Sequence, residues 1–324
     1  MQRFIALLLL GVSYHSVATT ALEQQVETLF QQKAYDEVKA LIAPQVNNKT
    51  KDAFLLATLG RSELALGNAT AAEKWLAKAV KADAANAKYQ FWYGRASCDS
   101  AQQANMLSAL GFAKRCVNAF EQAHQLAPEN AVYLEALAKY YAQAPGVAGG
   151  DKDKAMALSK TLQQVEPLKG HLLELELLLQ QDQTEAAKAL IAQVPALQNR
   201  PEPYFMHGVK LAQSRDYAGA VQQFVHASKQ EAIDTEAKRS RLLALYQLGR
   251  ATVLAKTDYP QGIDALQRFL ADEETLPEFN EWAQFRLAQL YLATEQRPAA
   301  ETLLSALQNS TKDDTLKTEI KKIY

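Results

Sequence analysis

The residues of this chain that could do chemistry are few, and they are spaced badly for it. Its five histidines are His15, His124, His171, His207 and His226. No two stand at the His-Glu-x-x-His spacing that brings two ligands and a base to one zinc ion. His171 with Glu174 and Glu176 is the nearest acidic neighbourhood, and it reads as a helix surface. No Gly-x-Ser-x-Gly elbow occurs, and neither Cys98 nor Cys116, the only cysteines, has a histidine partner by motif. The Gly-rich stretch from Ala144 to Ala155 could cradle a phosphate on free backbone amides. It lacks a Gly-Lys-Ser/Thr ending, follows no strand, and places Asp151 and Asp153 where a phosphate would sit. It reads as a loop that ends one helix and caps the next through Asp151. No catalytic residue, metal site or cofactor is expected.

Composition defines the elements around these residues. Only 13 Gly and 10 Pro occur in 324 residues, while Ala, Leu, Gln, Glu and Lys recur throughout, the residue set of helices. Lys plus Arg total 35 against 36 Asp plus Glu, so there is no basic field for a nucleic acid. Residues 1–21 have the order of a cleavable secretory signal peptide: Arg3, an apolar run from Phe4 to Val12, then small residues at Ser16, Ala18 and Ala21. No later stretch stays apolar for the roughly 18 residues that a membrane span needs. A periplasmic or secreted protein, with no stable membrane insertion after the leader is removed, is the expectation.

Beyond residue 21 a pair of helices recurs. Leu56, Leu59, Gly60 and Glu63 are followed by Ala72, Leu76 and Ala79. The order returns at Tyr204, His207, Gly208 and Leu211, with Tyr217, Ala220, Phe224 and Ala227 behind. Further units open at Tyr93–Gly94, Leu134–Ala138, Leu245–Gly249 and Leu287–Ala288, and weaker ones span 22–46 and 168–194. This pattern, with a period of about 34 residues, resembles the tetratricopeptide-repeat family. The resemblance implies an all-α fold, a right-handed superhelical solenoid of about eight helix pairs over residues 22–310. Insertions are expected near 99–112, 144–151 and 255–261. Leu316, Ile320 and Ile323 share one helical face, as a capping helix over 311–324 would require.

The repeat register selects candidate binding residues. One position past the small-residue slot stand Arg61, Arg95, Lys139 and Arg250. In arrays of this family that position faces the groove, where cations at repeated heights could receive carboxylates of a partner. The alternative is solvated charge paired to neighbours such as Glu63 or Glu135. Among the clustered aromatics, Phe91 and Trp282 are expected to be the exposed ones, with the rest filling the space between helices. Cys98 and Cys116 flank the long insertion. In an exported chain they are expected to form a disulfide, the alternative being two buried thiols, since other units hold Ala where Cys116 stands.

A surface made of helix faces offers many side chains to a polypeptide and no closed pocket for chemistry. The expected function is therefore that of a non-enzymatic interaction or scaffold protein holding a peptide segment or partner subunit. Alternatives are an accessory subunit of an envelope enzyme or transporter, docking through Ser100–Ala113, and a glycan- or ligand-binding solenoid using exposed aromatics.

Overall fold

The computed structural model describes residues 15–323 apart from Thr275, with side chains from Ala21 onward. Arg3 and the apolar run Phe4–Val12 lie outside the described residues. Among the described residues the chain forms eighteen α-helices and two short 3₁₀ turns, with no strand. Contacts divide it into two compact units, 1–158 and 159–324.

The first unit holds α1 (His15–Gln31), α2 (Tyr35–Ile42), α3 (Ala53–Ala65), α4 (Ala69–Ala82), α5 (Ala87–Gln103), α6 (Met106–Leu126) and α7 (Ala131–Gln143). α8 (Lys152–Val165) runs across the division. The second unit holds α9 (Pro167–Gln180), α10 (Thr184–Gln193), the single turn α11 (Pro195–Gln198), α12 (Pro201–Gln213), α13 (Tyr217–Lys229), α14 (Thr235–Ala255), α15 (Tyr259–Ala271), α16 (Pro277–Ala293), α17 (Arg297–Ser310) and α18 (Asp314–Lys321). Within each unit a first helix packs on its second, as α3 on α4 and α12 on α13. Each pair also packs on the next, and first helices touch, α3 with α5 and α12 with α14.

Glycine makes the tightest of these contacts possible. A Cβ at Gly60 would lie 2.5 Å from Leu76 Cγ, one at Gly94 2.6 Å from Phe120, one at Gly208 2.6 Å from Phe224 and one at Gly249 2.2 Å from Leu266 Cγ. The slot keeps two helix backbones near enough for the large residue opposite to be fully enclosed. Leu76, Phe224 and Leu266 accordingly expose nothing to solvent.

The turns inside the pairs share one geometry. In five of them a residue adopts left-handed φ: Lys33, Gly67, Asp182, Arg215 and Glu295. The following amide donates to the carbonyl five residues back, as Ala34 to Leu29, Asn68 to Glu63 and Gln296 to Tyr291. These bonds satisfy carbonyls orphaned at the helix end while reversing the chain. Only one of the five is glycine, so the turn is imposed by the packing of the pair at a cost in backbone strain. The starts of the first helices use side-chain caps instead. Asp52, Asn86, Asn130 and Asp234 accept amide hydrogens from Leu55, Tyr89, Tyr133 and Ala237.

The surplus residues expected as an insertion near 99–112 are helical. α5 and α6 run on to within two residues of each other, and Asn105 caps α6 by accepting from Ser108 N. The surplus near 255–261 shrinks to Lys256–Asp258, with Lys256 and Asp258 both left-handed. The Gly-rich stretch is a loop with one 3₁₀ turn, Gly146–Ala148. Asp151 Oδ1 accepts from the amides of Asp153 and Lys154, so the donors a phosphate would need are occupied. A Cβ at Gly150 would lie 1.7 Å from the Ala144 carbonyl oxygen, which explains that glycine by close backbone approach. At the far end α18 buries Leu316 and Ile320 against Phe285, Ala288, Leu304 and Leu307, with Ile323 beside them. It covers the last apolar face, as a capping helix must.

Candidate functional site

Three of the four groove cations belong to the first unit, and its packing gives each a different role. Arg61 on α3 is held in place. Its Cζ lies 4.0 Å from the ring centre of Phe30 and 5.0 Å from that of Trp92, and its Nη1 is 3.7 Å from Glu27 Oε2. Burial pushes its pKa down and Glu27 opposes the shift. A guanidinium between two rings with a carboxylate beside it is a structural contact between pairs. Glu63, one expected partner, instead pairs with Lys39 at 3.1 Å.

Arg95, two turns into α5, is exposed, with its Cζ 5.4 Å from the Trp92 ring and no ion pair among the described residues. On α7, Lys139 Nζ lies 2.7 Å from Glu135 Oε1. Arg95 and Lys139 border one cavity of about 810 Å³ between α5, α6, α7 and the loop behind α7. Its wall is built from small residues (Ala101, Ala113, Ala136, Ala144 and Ala148), together with Phe91, Phe120 and Cys98. Alanines where longer side chains would close the space are what leave it open. Tyr140 fixes one side: its hydroxyl donates toward the carbonyls of Ala113 at 2.8 Å and Ala148 at 2.6 Å, tying the loop to α6. Cys98 and Cys116 are joined by a disulfide that closes the α5–α6 pair, with Cys116 wholly buried in the small-residue slot. A smaller cavity of about 420 Å³ lies between Arg61 and Arg95, lined by Phe30, Tyr35, Trp92 and Asp99.

Two expectations need correction. Phe91 is buried, 8 % exposed, with ring centres 5.8 Å from Phe120 and 5.0 Å from Tyr133, and it lines the cavity. Trp282 is half-buried between two core clusters, and its indole N–H donates to Asp313 at 3.0 Å. Both rings are filler between helix pairs, because a large flat side chain gains more from enclosure there than on a surface.

In the second unit Arg250 Nη1 donates to the amide oxygen of Gln247 at 3.3 Å. Two charged constellations there were not anticipated. One is the buried Arg200, which forms ion pairs with Glu202 at 2.5 Å and Asp234 at 2.8 Å and so links the starts of α12 and α14. The other is Arg286 on α16, with Cζ 5.4 Å from the Trp282 ring and 5.3 Å from that of Phe285. A trace of the second is visible in the sequence, since Gln247–Arg250 and Arg286–Gln289 set the same residue types three apart on successive first helices. Among the described residues no group of three or more His, Cys, Asp or Glu side chains could hold a metal ion.

No protein-family model matches the chain and no curated protein matches it, but solved structures do. The crystal structure of yeast Tom70 aligns at a TM-score of 0.59 and 15 % identity, over 89 % of this chain and 57 % of that one. The Cut9–Hcn1 hetero-tetramer of the APC/C aligns at 0.49 and 15 % identity, over 92 % and 47 %. A tetratricopeptide repeat protein from Parabacteroides merdae aligns at 0.44 and 13 % identity, over 84 % and 98 %. The chain thus spans about half the length of the first two. With its successive helix pairs, small-residue slots and capping helix, the chain has the tetratricopeptide-repeat fold.

Proposed function

We propose that the chain is a non-enzymatic protein-interaction module, and that its first unit holds a segment of a partner polypeptide in the cavity between α5, α6 and α7. The observation that carries this reading is the composition of that cavity. Its alanine-built wall with Phe91 and Phe120 makes an apolar recess of about 810 Å³, within the size range that admits a few side chains. Arg95 and the Lys139–Glu135 pair stand at its border, where a polypeptide's carboxylates and amides would find charged partners. We further propose that the protein works outside the cytoplasm, in the periplasm or secreted. The order of residues 1–21 and the Cys98–Cys116 disulfide support that placement. Among the described residues no helix is long and apolar enough to cross a membrane.

Filling the recess tests the reading. With a photo-reactive residue at Gln143, intact cells should yield a discrete cross-linked polypeptide, identifiable by mass spectrometry. Ala136→Phe, or Arg95→Glu with Lys139→Glu, should reduce that product at least tenfold while helicity is retained. Undiminished cross-linking in both variants would overturn the proposal.

One observation favours a second reading, an accessory subunit that docks a folded partner. Met106 and Leu107, at the tip of the α5–α6 pair, are 91 % and 95 % exposed, and residues 100–113 carry no charge. Under that reading a photo-reactive residue at Leu107, and not at Gln143, gives the specific product.

A further inference from the structure

Lysines on a protein surface are ordinarily interspersed with carboxylates, so a group of them without ion pairs marks a surface with a potential of its own. The first unit has such a group. On α4, Lys74, Lys78 and Lys81 recur at the i, i+4, i+7 spacing and share an arc of about 60° on the helix. Ala72, Leu76 and Ala79, wholly buried, occupy the opposite side. The turn before α3 adds Lys49 and Lys51, both exposed. Lys78 Nζ donates to Asn48 Oδ1 at 3.1 Å, which brings that turn alongside α4. The turn is itself fixed: Asn47 Oδ1 accepts from the Lys49 amide and Thr50 Oγ1 from the Asn47 amide, both at 2.8 Å. Lys78 Nζ stands 4.4 Å from the ring centre of the half-buried Trp75, and Lys74 Nζ 5.9 Å from it. None of the five lysines forms an ion pair among the described residues. The carboxylates nearest to them in sequence are engaged elsewhere. Glu73 pairs with Arg115 at 2.7 Å, Asp52 caps α3 by accepting from Leu55 N, and Asp83 accepts from the side-chain amide of Asn86.

We propose that Lys49, Lys51, Lys74, Lys78 and Lys81 form a surface that rests against an anionic phospholipid bilayer. The residue type selects this partner. Lysine is depleted, and arginine and aromatic residues enriched, where proteins meet proteins. A point charge on a flexible stem instead follows a fluid array of headgroups, which offers no fixed position for a planar fork. The layout agrees. Lys74 to Lys81 span about 10 Å of helix, close to the screening length in physiological salt, so these charges act together on a charged plane. The contact is electrostatic and reversible, and it places no segment across the bilayer. The patch shares no residue with the lining of the cavity between α5, α6 and α7, so it does not depend on the polypeptide-binding reading of that cavity.

Co-sedimentation of the full chain with vesicles tests it, with phosphatidylglycerol mixed into phosphatidylcholine set against phosphatidylcholine alone. The readout is the ratio of the two partition coefficients, which cancels any contribution that the apolar run Phe4–Val12 makes to both. At about fivefold per lysine, a preference of about a hundredfold or more for the anionic vesicles is expected at roughly 0.05 M salt, falling toward one at roughly 0.5 M. Lys74→Gln, Lys78→Gln and Lys81→Gln together should lower that preference at least about tenfold, and Lys→Arg at the same three positions should keep it. Lys49→Gln with Lys51→Gln, in a turn outside the helix, decides the matter if the α4 variant unfolds. Replacing Lys317, Lys321 and Lys322 of α18 by Gln should change the ratio little. The proposal is overturned if the native chain shows no preference for anionic vesicles, if both patch variants retain it in full, or if the α18 variant loses as much. It is also overturned if polyglutamate binds more tightly than the vesicles at equal charge, which would assign the patch to an acidic polypeptide.

Discussion

Each unit places an arginine of a first helix against two aromatic rings, and the two differ in their polar partners. Arg61 in the first unit lies between Phe30 and Trp92 and has Glu27 beside it. Arg286 in the second lies against Trp282 and Phe285 and donates to the amide oxygen of Gln289, with Glu319 favouring its charge from beyond ion-pair distance. Both leave a buried Nε without a hydrogen-bond partner, so what separates them is the carboxylate within ion-pair reach of Arg61 alone. The same arginine-on-ring contact thus carries an ion pair or lacks one, depending on a single residue brought from a neighbouring pair.

The largest expected contrast concerns the covalent tie that only the first unit has. Reducing Cys98–Cys116, or replacing both by Ala, should destabilise that unit by about 2–4 kcal/mol through the freed chain entropy. Of the three tryptophans, Trp75 and Trp92 lie in the first unit and Trp282 in the second. Urea unfolding followed on single-tryptophan versions should show the first midpoint fall and the second hold. Equal shifts would mean that the two units unfold as one.

Next in size is the pair of arginines. Arg61→Met should cost about 1–2 kcal/mol, since it removes a cation from two ring faces and one of the ion-pair partners of Glu27. Arg286→Met should cost under about 0.5 kcal/mol or stabilise, because it removes a partly buried charge that forms no ion pair among the described residues. Equal losses in thermal or urea denaturation would erase the distinction between the paired and the unpaired arginine.

Trp282→Phe keeps the ring and loses the hydrogen bond to Asp313, which also caps α18 through the amides of Thr315 and Leu316. A loss of about 1 kcal/mol is expected, with faster amide exchange confined to α18.

A smaller effect is pH-dependent. Burial pushes the pKa of His207 below its ordinary value, Lys188 adds to the shift, and Glu185 and Gln223 oppose it. The unfolded chain then binds this proton more readily than the native one. Stability should therefore be full above pH 6.5 and decline as pH falls through that value toward the native pKa, by at most about 1.4 kcal/mol per unit. His207→Gln should flatten the slope of the second unit's urea midpoint; an unchanged slope would assign the effect elsewhere.

Much of the fold can be read from residue order. The Gly60, Gly94, Gly208 and Gly249 slots, the enclosed residues opposite them and the Leu316–Ile320 face are local patterns, and each appears in the structure as a packed contact. The shared left-handed turn left no comparable trace, because Lys33, Asp182, Arg215 and Glu295 are not residues that favour it and the helix pair imposes the geometry. Candidate site residues were harder to sort. The groove position identified Arg95 and Lys139 on the border of the large cavity, but it grouped them with Arg61, whose partner Glu27 lies 34 positions earlier. Phe91 and Trp282 looked exposed because nothing in their neighbourhood shows that Phe120, Tyr133 and Asp313 close over them.

The sequence by itself determined that this chain folds into helices and that they come in pairs, because helix periodicity and small-against-large packing act over a few tens of residues. Only the tertiary structure decided which arginine meets a carboxylate, which ring is enclosed and where alanines leave an open recess. Those outcomes depend on groups that are distant along the chain, and a charge or an aromatic face takes its role from what is placed within a few ångströms of it.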